Sequence, residues 1–145
     1  MRSARAWGCK WGRDLTIVLD SWAVLALYED HQCAGRVARA IQDGEALMSA
    51  INVGEVLYQL EREHGRPQAT RLVDKLRSVT VVEDPDWELV TLAARVKVPG
   101  RLSYADAFCV ATAIRHRAAL FTGDPEILGI GPIVELVDLR RAACS

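Results

Sequence analysis

Short apolar runs, each followed closely by a helical pattern, recur along this chain and leave few folds open to it. Leu15 to Leu19, Ala46 to Ile51, Val79 to Val82, Ala119 to Thr122 and Ile133 to Val137 each read as a strand. The first is a β-branched run with no polar alternation, the pattern of a strand buried on both faces of a parallel sheet. Between the strands the apolar period lengthens to that of a helix. Ser21 caps a helix to about Glu29, and His31 to Asp43 forms a second with Cys33, Val37, Ala40 and Ile41 on one face. Asn52 caps Val53 to His64, where Val53, Val56, Leu57 and Leu60 make the apolar stripe. Gly65 stops it, and Pro67 suits the first turn of a further helix to about Ser78. Pro85 opens a helix to about Val96, with Trp87, Leu89, Val90, Leu92 and Ala93 facing inward; Ser103 caps another to about Arg117. Pro125 to Leu128 makes a short helical turn. This alternation predicts an α/β fold, a three-layer α/β/α sandwich on a mostly parallel sheet of about five strands.

A length of 145 residues suits one such domain, expected over residues 15–145. Residues 1–14, basic and carrying Trp7 and Trp11, read as a flexible N-terminal extension. They lack the apolar core of a secretory signal, and no run in the chain is long enough to span a membrane. With 18 basic and 19 acidic residues the net charge is -1, so charge alone names no partner. Cys9, Cys33, Cys109 and Cys144 have neither zinc-ribbon nor redox spacing. Cys33 and Cys109 fall in apolar patterns as small buried side chains, and a reducing, cytoplasmic setting is the simpler reading. His31, His64 and His116 form no ligand pattern and read as solvated helix-end residues.

Four acids stand where an apolar segment ends or a helix begins: Asp20, Glu55, Asp106 and Asp124. In a parallel sheet, ligands bind outside the carboxyl ends of the strands, and these positions fall there. Each acid also has a purely structural reading. Asn52-x-x-Glu55 and Ser103-x-x-Asp106 have the form of capping boxes. Asp124-Pro125 is an N-cap followed by a favoured first helical residue, and Asp20 suits the positive end of a helix. Capping accounts for each acid separately, but not for all of them falling at one edge. Carboxylates that meet repel one another unless a cation binds them, and a hard divalent metal at a sheet edge points to phosphodiester chemistry. Glu126 is a further acid, read as a solvated first-turn carboxylate.

Four stretches resemble the PIN-domain family, and within it the VapC-type toxins of toxin–antitoxin pairs. They are Val18-Leu19-Asp20-Ser21, Asn52-Val53-Gly54-Glu55-Val56, Leu102-Ser103-Tyr104-Ala105-Asp106-Ala107-Phe108 and Thr122-Gly123-Asp124-Pro125-Glu126, in the family's order. The resemblance covers about Leu15 to Leu139. It implies a divalent-metal-dependent endoribonuclease that uses Mg²⁺, with Mn²⁺ able to substitute. The catalytic and metal-binding positions carried over are Asp20, Asp106, Glu55 and Asp124, with Asp20 and Asp106 as the main direct ligands. Ser21, Asn52, Ser103 and Thr122 are the polar neighbours that hold the acids, or simply caps. The resemblance further implies a cognate antitoxin, an RNA substrate and a homodimer.

An acidic pocket needs basic side chains at its approach, and Lys97 and Arg101 are the first candidates for RNA phosphate contact, with Arg13 and Arg115 behind them. The helix with Val56, Leu57, Tyr58 and Leu60, and that with Trp22, Leu25 and Tyr28, are candidate docking faces or core stripes. Other classes fit less well. An aspartyl-phosphate phosphatase has a second Asp where this chain has Trp22, and neither G-x-G-x-x-G nor a P-loop is present. The alternative that survives is a non-catalytic PIN-like module acting through an antitoxin and promoter DNA.

Overall fold

The computed structural model describes residues 17–44 and 46–141. The extension over residues 1–14, the first two residues of the expected first strand, Cys9 and Cys144 lie outside them. Five parallel strands form one sheet: β1 (Ile17–Leu19), β2 (Ala46–Ser49), β3 (Val81–Glu83), β4 (Ala119–Thr122) and β5 (Leu136–Asp138), in the order β3-β2-β1-β4-β5. Seven helices are described: α1 (Ser21–Tyr28), α2 (Ala34–Gln42), α3 (Ala50–His64), α4 (Arg66–Val79), α5 (Trp87–Lys97), α6 (Tyr104–His116) and α7 (Pro125–Leu128).

Side chains of the inner strands alternate between two cores, as the pleat requires. Ile17, Leu19, Ala46 and Met48 pack with α1 to α4, through residues such as Val24, Val37, Val56 and Val73. Val18, Leu47 and Leu120 face the other way, onto Cys109, Val110 and Ala113 of α6 and Ile127 of α7. The α5 helix reaches this layer through α6, by Leu89 and Ala93 against Ala107, Phe108 and Ala111. Strands β1 and β2 are buried throughout, so their apolar runs are uninterrupted; β3 and β5, at the sheet edges, are half-buried and each ends in an acid. Burying one leucine as fully as Leu47 or Leu120 is worth about 2 kcal/mol.

Several expected boundaries move. The helix after β2 starts at Ala50, because the Ser49 hydroxyl accepts the Ile51 N–H at 3.2 Å and takes the cap expected of Asn52. α2 starts at Ala34, not His31, with Cys33 buried at its cap position. The last strand runs Leu136–Asp138, and the third begins at Val81, since Val79 ends α4. Trp87, expected inside, is 80% exposed: Asp86 caps α5, and Leu89 and Ala93 form its buried face. Two histidines are not solvated either. His31 is half-buried edge-on to the Trp22 ring, 5.4 Å away, and His116 meets Glu83 at 2.5 Å. Val56 and Leu60 lie in the core, Tyr28 bonds the Leu72 carbonyl at 3.1 Å, and Tyr58 is exposed.

Candidate active site

The strand order places a switch point at β1. From β1 the chain winds outward through β2 and β3, then returns to lay β4 on the other side of β1. Connections leave β1 and β4 in opposite directions, which opens a crevice at their carboxyl ends. Asp20 follows β1 there, and Asp124 stands two residues beyond β4.

Asp20 is the most constrained of the acids. It caps α1, with Oδ1 accepting the Ala23 N–H at 2.8 Å, and Oδ2 accepts the hydroxyl of Thr122. It is 2% exposed. Burial pushes its carboxyl up to about 7; the bonds from Thr122 and Ala23 only partly offset this, and the charges of Asp124 and Asp106 add to it. Thr122, fully buried, also accepts the Asp124 N–H at 2.9 Å, so one hydroxyl ties two acids together. Asp124 in turn caps α7, its Oδ1 accepting the Glu126 N–H at 2.8 Å. Glu126 itself is exposed, as expected.

Asp106 enters from the opposite layer, in the first turn of α6. The expected capping box is present: Ser103 Oγ accepts the Asp106 N–H at 3.1 Å, and Asp106 Oδ2 accepts the Ser103 N–H at 3.3 Å. One carboxylate oxygen, Oδ1, is left outside the box. Burial raises this carboxyl, and the charges of Asp124 and Glu55 raise it further against the pull of Ser103. Glu55 is half-buried on α3, and its Oε1 accepts the Ser21 hydroxyl rather than closing a box with Asn52.

The charges of all four acids bear on one buried group. The Cys109 thiol, donating to the Asp106 carbonyl at 3.1 Å, is raised well above its usual range by burial and then by Asp20, Asp106, Glu55 and Asp124. Nothing in the sequence pattern marked Cys109 as lying beneath the acids. Asn52 was marked, but for another role. It is 1% exposed, and its Nδ2 donates to the Ala105 carbonyl at 3.0 Å, bracing α3 against α6 beside Asp106. Its Oδ1 is buried with no hydrogen-bond partner among the described residues.

The donor set is carboxylate and amide oxygen, the chemistry of a hard divalent cation. An acceptor as deeply buried as Asn52 Oδ1 with nothing to accept, in the turn that carries Glu55, fits such a set as well. As the side chains stand, no group of three or more His, Cys, Asp or Glu among the described residues is poised to hold a metal ion. Both oxygens of Asp20 and one of Glu55 are turned to hydroxyl or amide donors, which separates charges that otherwise repel.

The expected RNA-contact residues stand apart from one another. Lys97 ends α5, half-buried, while Arg101 is exposed and lines a cavity of about 270 Å³ that is otherwise apolar, with Val96, Leu102, Ile130 and Ile133. Arg115 is engaged by Glu83 at 3.2 Å and Asp86 at 2.6 Å. No described helix is long and apolar enough to cross a membrane.

A parallel α/β/α fold with acids gathered at its switch point defines a class with a known counterpart. The PIN domain family model matches residues 17–131, and the chain belongs to that family. Its fold is shared by solved VapBC structures. One is DNA-bound VapBC from Salmonella typhimurium, with a TM-score of 0.70 and 16% identity over 86% of this chain and 98% of that one. VapBC2 from Rickettsia felis, bound to a DNA fragment from its promoter, gives 0.68 and 15% over 84% and 97%. VapC20 from Mycobacterium tuberculosis, a Sarcin-Ricin loop cleaving toxin, gives 0.66 and 21% over 79% and 95%. No curated protein sequence matches the chain.

Proposed function

We propose that this protein is a divalent-metal-dependent endoribonuclease and the toxin of a toxin–antitoxin pair. The observation that carries this reading is that Asp20 and Asp124 follow β1 and β4 at the switch point and that the charges of Asp20, Glu55, Asp106 and Asp124 act on one another there. Membership of the PIN domain family and the likeness to VapBC complexes and to an RNA-cleaving toxin support it.

In this mechanism Asp20 and Asp106 would hold the metal directly, being fixed by Thr122 and Ala23 and by Ser103. When bound, Mg²⁺ or Mn²⁺ supplies charge neutralisation at the scissile phosphate and an acidified water. Glu55 is anchored at Oε1 by Ser21, leaving Oε2 to orient the attacking water and take its proton. Asp124, fixed through Thr122 and the Glu126 N–H, would hold water at the same site. The partners are a cognate antitoxin and RNA, with the toxin itself a homodimer.

The test is cleavage of structured RNAs, tRNAs and a sarcin–ricin loop among them, by antitoxin-free protein. It is run with Mg²⁺, with Mn²⁺ and with EDTA, beside Asp20→Asn and Asp106→Asn. Metal-dependent cutting absent from both variants is the expected result. Cutting that persists in them would place the chemistry elsewhere. No cutting by any form, together with promoter-DNA binding in complex with the antitoxin, would favour the non-catalytic module.

A further inference from the structure

We propose that the arginine-lined cavity between the start of α2 and the end of β5 holds the phosphate backbone of the RNA substrate. This rests on the ribonuclease reading above and names its substrate-binding surface.

The cavity has a volume of about 510 Å³, and its lining includes Gln32, Gly35, Arg36, Arg39, Leu139 and Arg141, with no acidic side chain among the described residues. Arg36 and Arg39 form no ion pair with an acid among the described residues. Their charge is therefore available to a ligand. The Arg36 guanidinium carbon sits 5.9 Å from the centre of the Phe121 ring, and Arg39 lies one turn further along α2, exposed. Arg141, also largely exposed, meets Asp138 only at 3.6 Å. At the start of α2 the Cys33, Ala34 and Arg36 amides are already bonded to His31 Nδ1, the His31 carbonyl and the Cys33 carbonyl, so the arginines and not the helix end carry the attraction, and a side chain at Gly35 would meet nothing within 4 Å. A planar guanidinium matches two phosphate oxygens at once and also stacks on a base.

Position favours RNA over an acidic protein segment. Leu139 follows β5 and donates its N–H to the Thr122 carbonyl at 2.8 Å. Phe121, beneath Arg36, immediately precedes Thr122, whose hydroxyl binds both Asp20 and the Asp124 amide. Through Leu139 and Phe121 the cavity adjoins the carboxyl ends of β4 and β5, on the face of the sheet that carries α1 and α2. A strand whose phosphates lie on Arg36 and Arg39 would pass beside Phe121 and Leu139, which adjoin the Thr122 that holds two of the acids. A chain of net charge -1 offers no general attraction, so local arginines must supply it. The cavity beside Arg101 is walled by apolar side chains and suits phosphate less well.

The test is fluorescence anisotropy of a labelled single-stranded RNA on full-length protein in an Asp106→Asn background, where cleavage is blocked. Arg36→Glu and Arg39→Glu are compared with that parent and with Lys75→Glu, an exposed charge reversal on α4. Kd is expected to rise about tenfold in each arginine variant, and the salt slope between about 50 and 200 mM to fall by about one. With the acids intact, KM rises by a similar factor while kcat holds. Parent-like Kd and slope in both arginine variants overturn the proposal, as does equal weakening by Lys75→Glu. A parent that binds no RNA overturns it too. So do variants that keep RNA but lose the antitoxin, which would make the cavity a protein site. If binding depends on the arginines but no RNA is cut under any metal, the surface stands and the nuclease reading fails. If RNA is cut and binding ignores the arginines, the reverse holds.

Discussion

Thr122 donates its hydroxyl hydrogen to Oδ2 of Asp20, although 102 residues separate them in the chain. The Thr122 hydroxyl oxygen in turn accepts the Asp124 N–H, so β4 orients the acid of its neighbour β1 and its own acid with one side chain. Removing that hydroxyl leaves a buried carboxylate oxygen and a buried amide without partners. Thr122→Val is therefore expected to lose about 1–3 kcal/mol of stability and most of its RNA cleavage, while Thr122→Ser recovers both. Urea melts beside cleavage assays decide this; a Val variant with wild-type activity would remove Thr122 from the site.

Asp20 works against the fold it serves. Its carboxyl is raised from 3.8 to about 7, chiefly by burial, so between these values the folded protein keeps a proton that the unfolded chain has released. Stability from this group falls as pH rises through that window and is lowest above it. Asp20→Asn keeps the shape, removes the slope, and is expected to be more stable than wild type at pH 8 in EDTA by about 1–3 kcal/mol. The same variant cuts no RNA. Denaturation curves at several pH values measure the difference.

Glu83 has the opposite sign. Burial would raise its carboxyl, but His116 and then Arg115 outweigh that and hold it below its usual 4.5. Its contribution is present above the unfolded value and is lost as pH falls through the folded one. Glu83→Gln should lower the melting temperature at pH 7 and narrow its gap to wild type as the solution is acidified toward pH 3. A gap that widens on acidification would contradict the assignment.

Trp22 lies so close over Gly123 that a Cβ there would stand 2.3 Å from the ring. The glycine is required by contact, not by backbone twist. Gly123→Ala is expected to cost about 1–3 kcal/mol by overpacking and to displace the neighbouring Thr122 and Asp124. Adding Trp22→Leu should relieve the clash, so a thermal-melt double-mutant cycle will be strongly non-additive.

Metal binding should report on the acids without any RNA. A ligand of the folded state alone at about ten times its dissociation constant adds about 1.4 kcal/mol. Mg²⁺ is expected to raise the melting temperature of wild type, and EDTA to reverse the rise. Neither Asp20→Asn nor Asp106→Asn should respond. A response of undiminished size in both would locate the ion elsewhere.

The layer architecture was legible in the sequence because its cause is local. Ile17-Val18-Leu19 and Ala46-Leu47-Met48 are apolar without alternation, which suits only strands covered on both faces, and Ser103-x-x-Asp106 is a cap written in adjacent residues. The four acids were legible for a similar reason: each follows a strand or opens a helix within a few positions. What the acids do to one another was decided only in the fold. Thr122 and Ser21 became partners of Asp20 and Glu55 through contacts across 102 and 34 residues. Asn52 lost its capping role to Ser49 and turned to α6, because the end of β2 follows from its register against β3. Arg36, Arg39 and Arg141 share a cavity only because β5 returns beside β4 and brings Leu139 to the edge where α2 begins. Periodicity and capping are written within a few residues of chain. Charge convergence and cavity lining depend on which strands become neighbours, and hydrophobic burial against long loop closures settles that order.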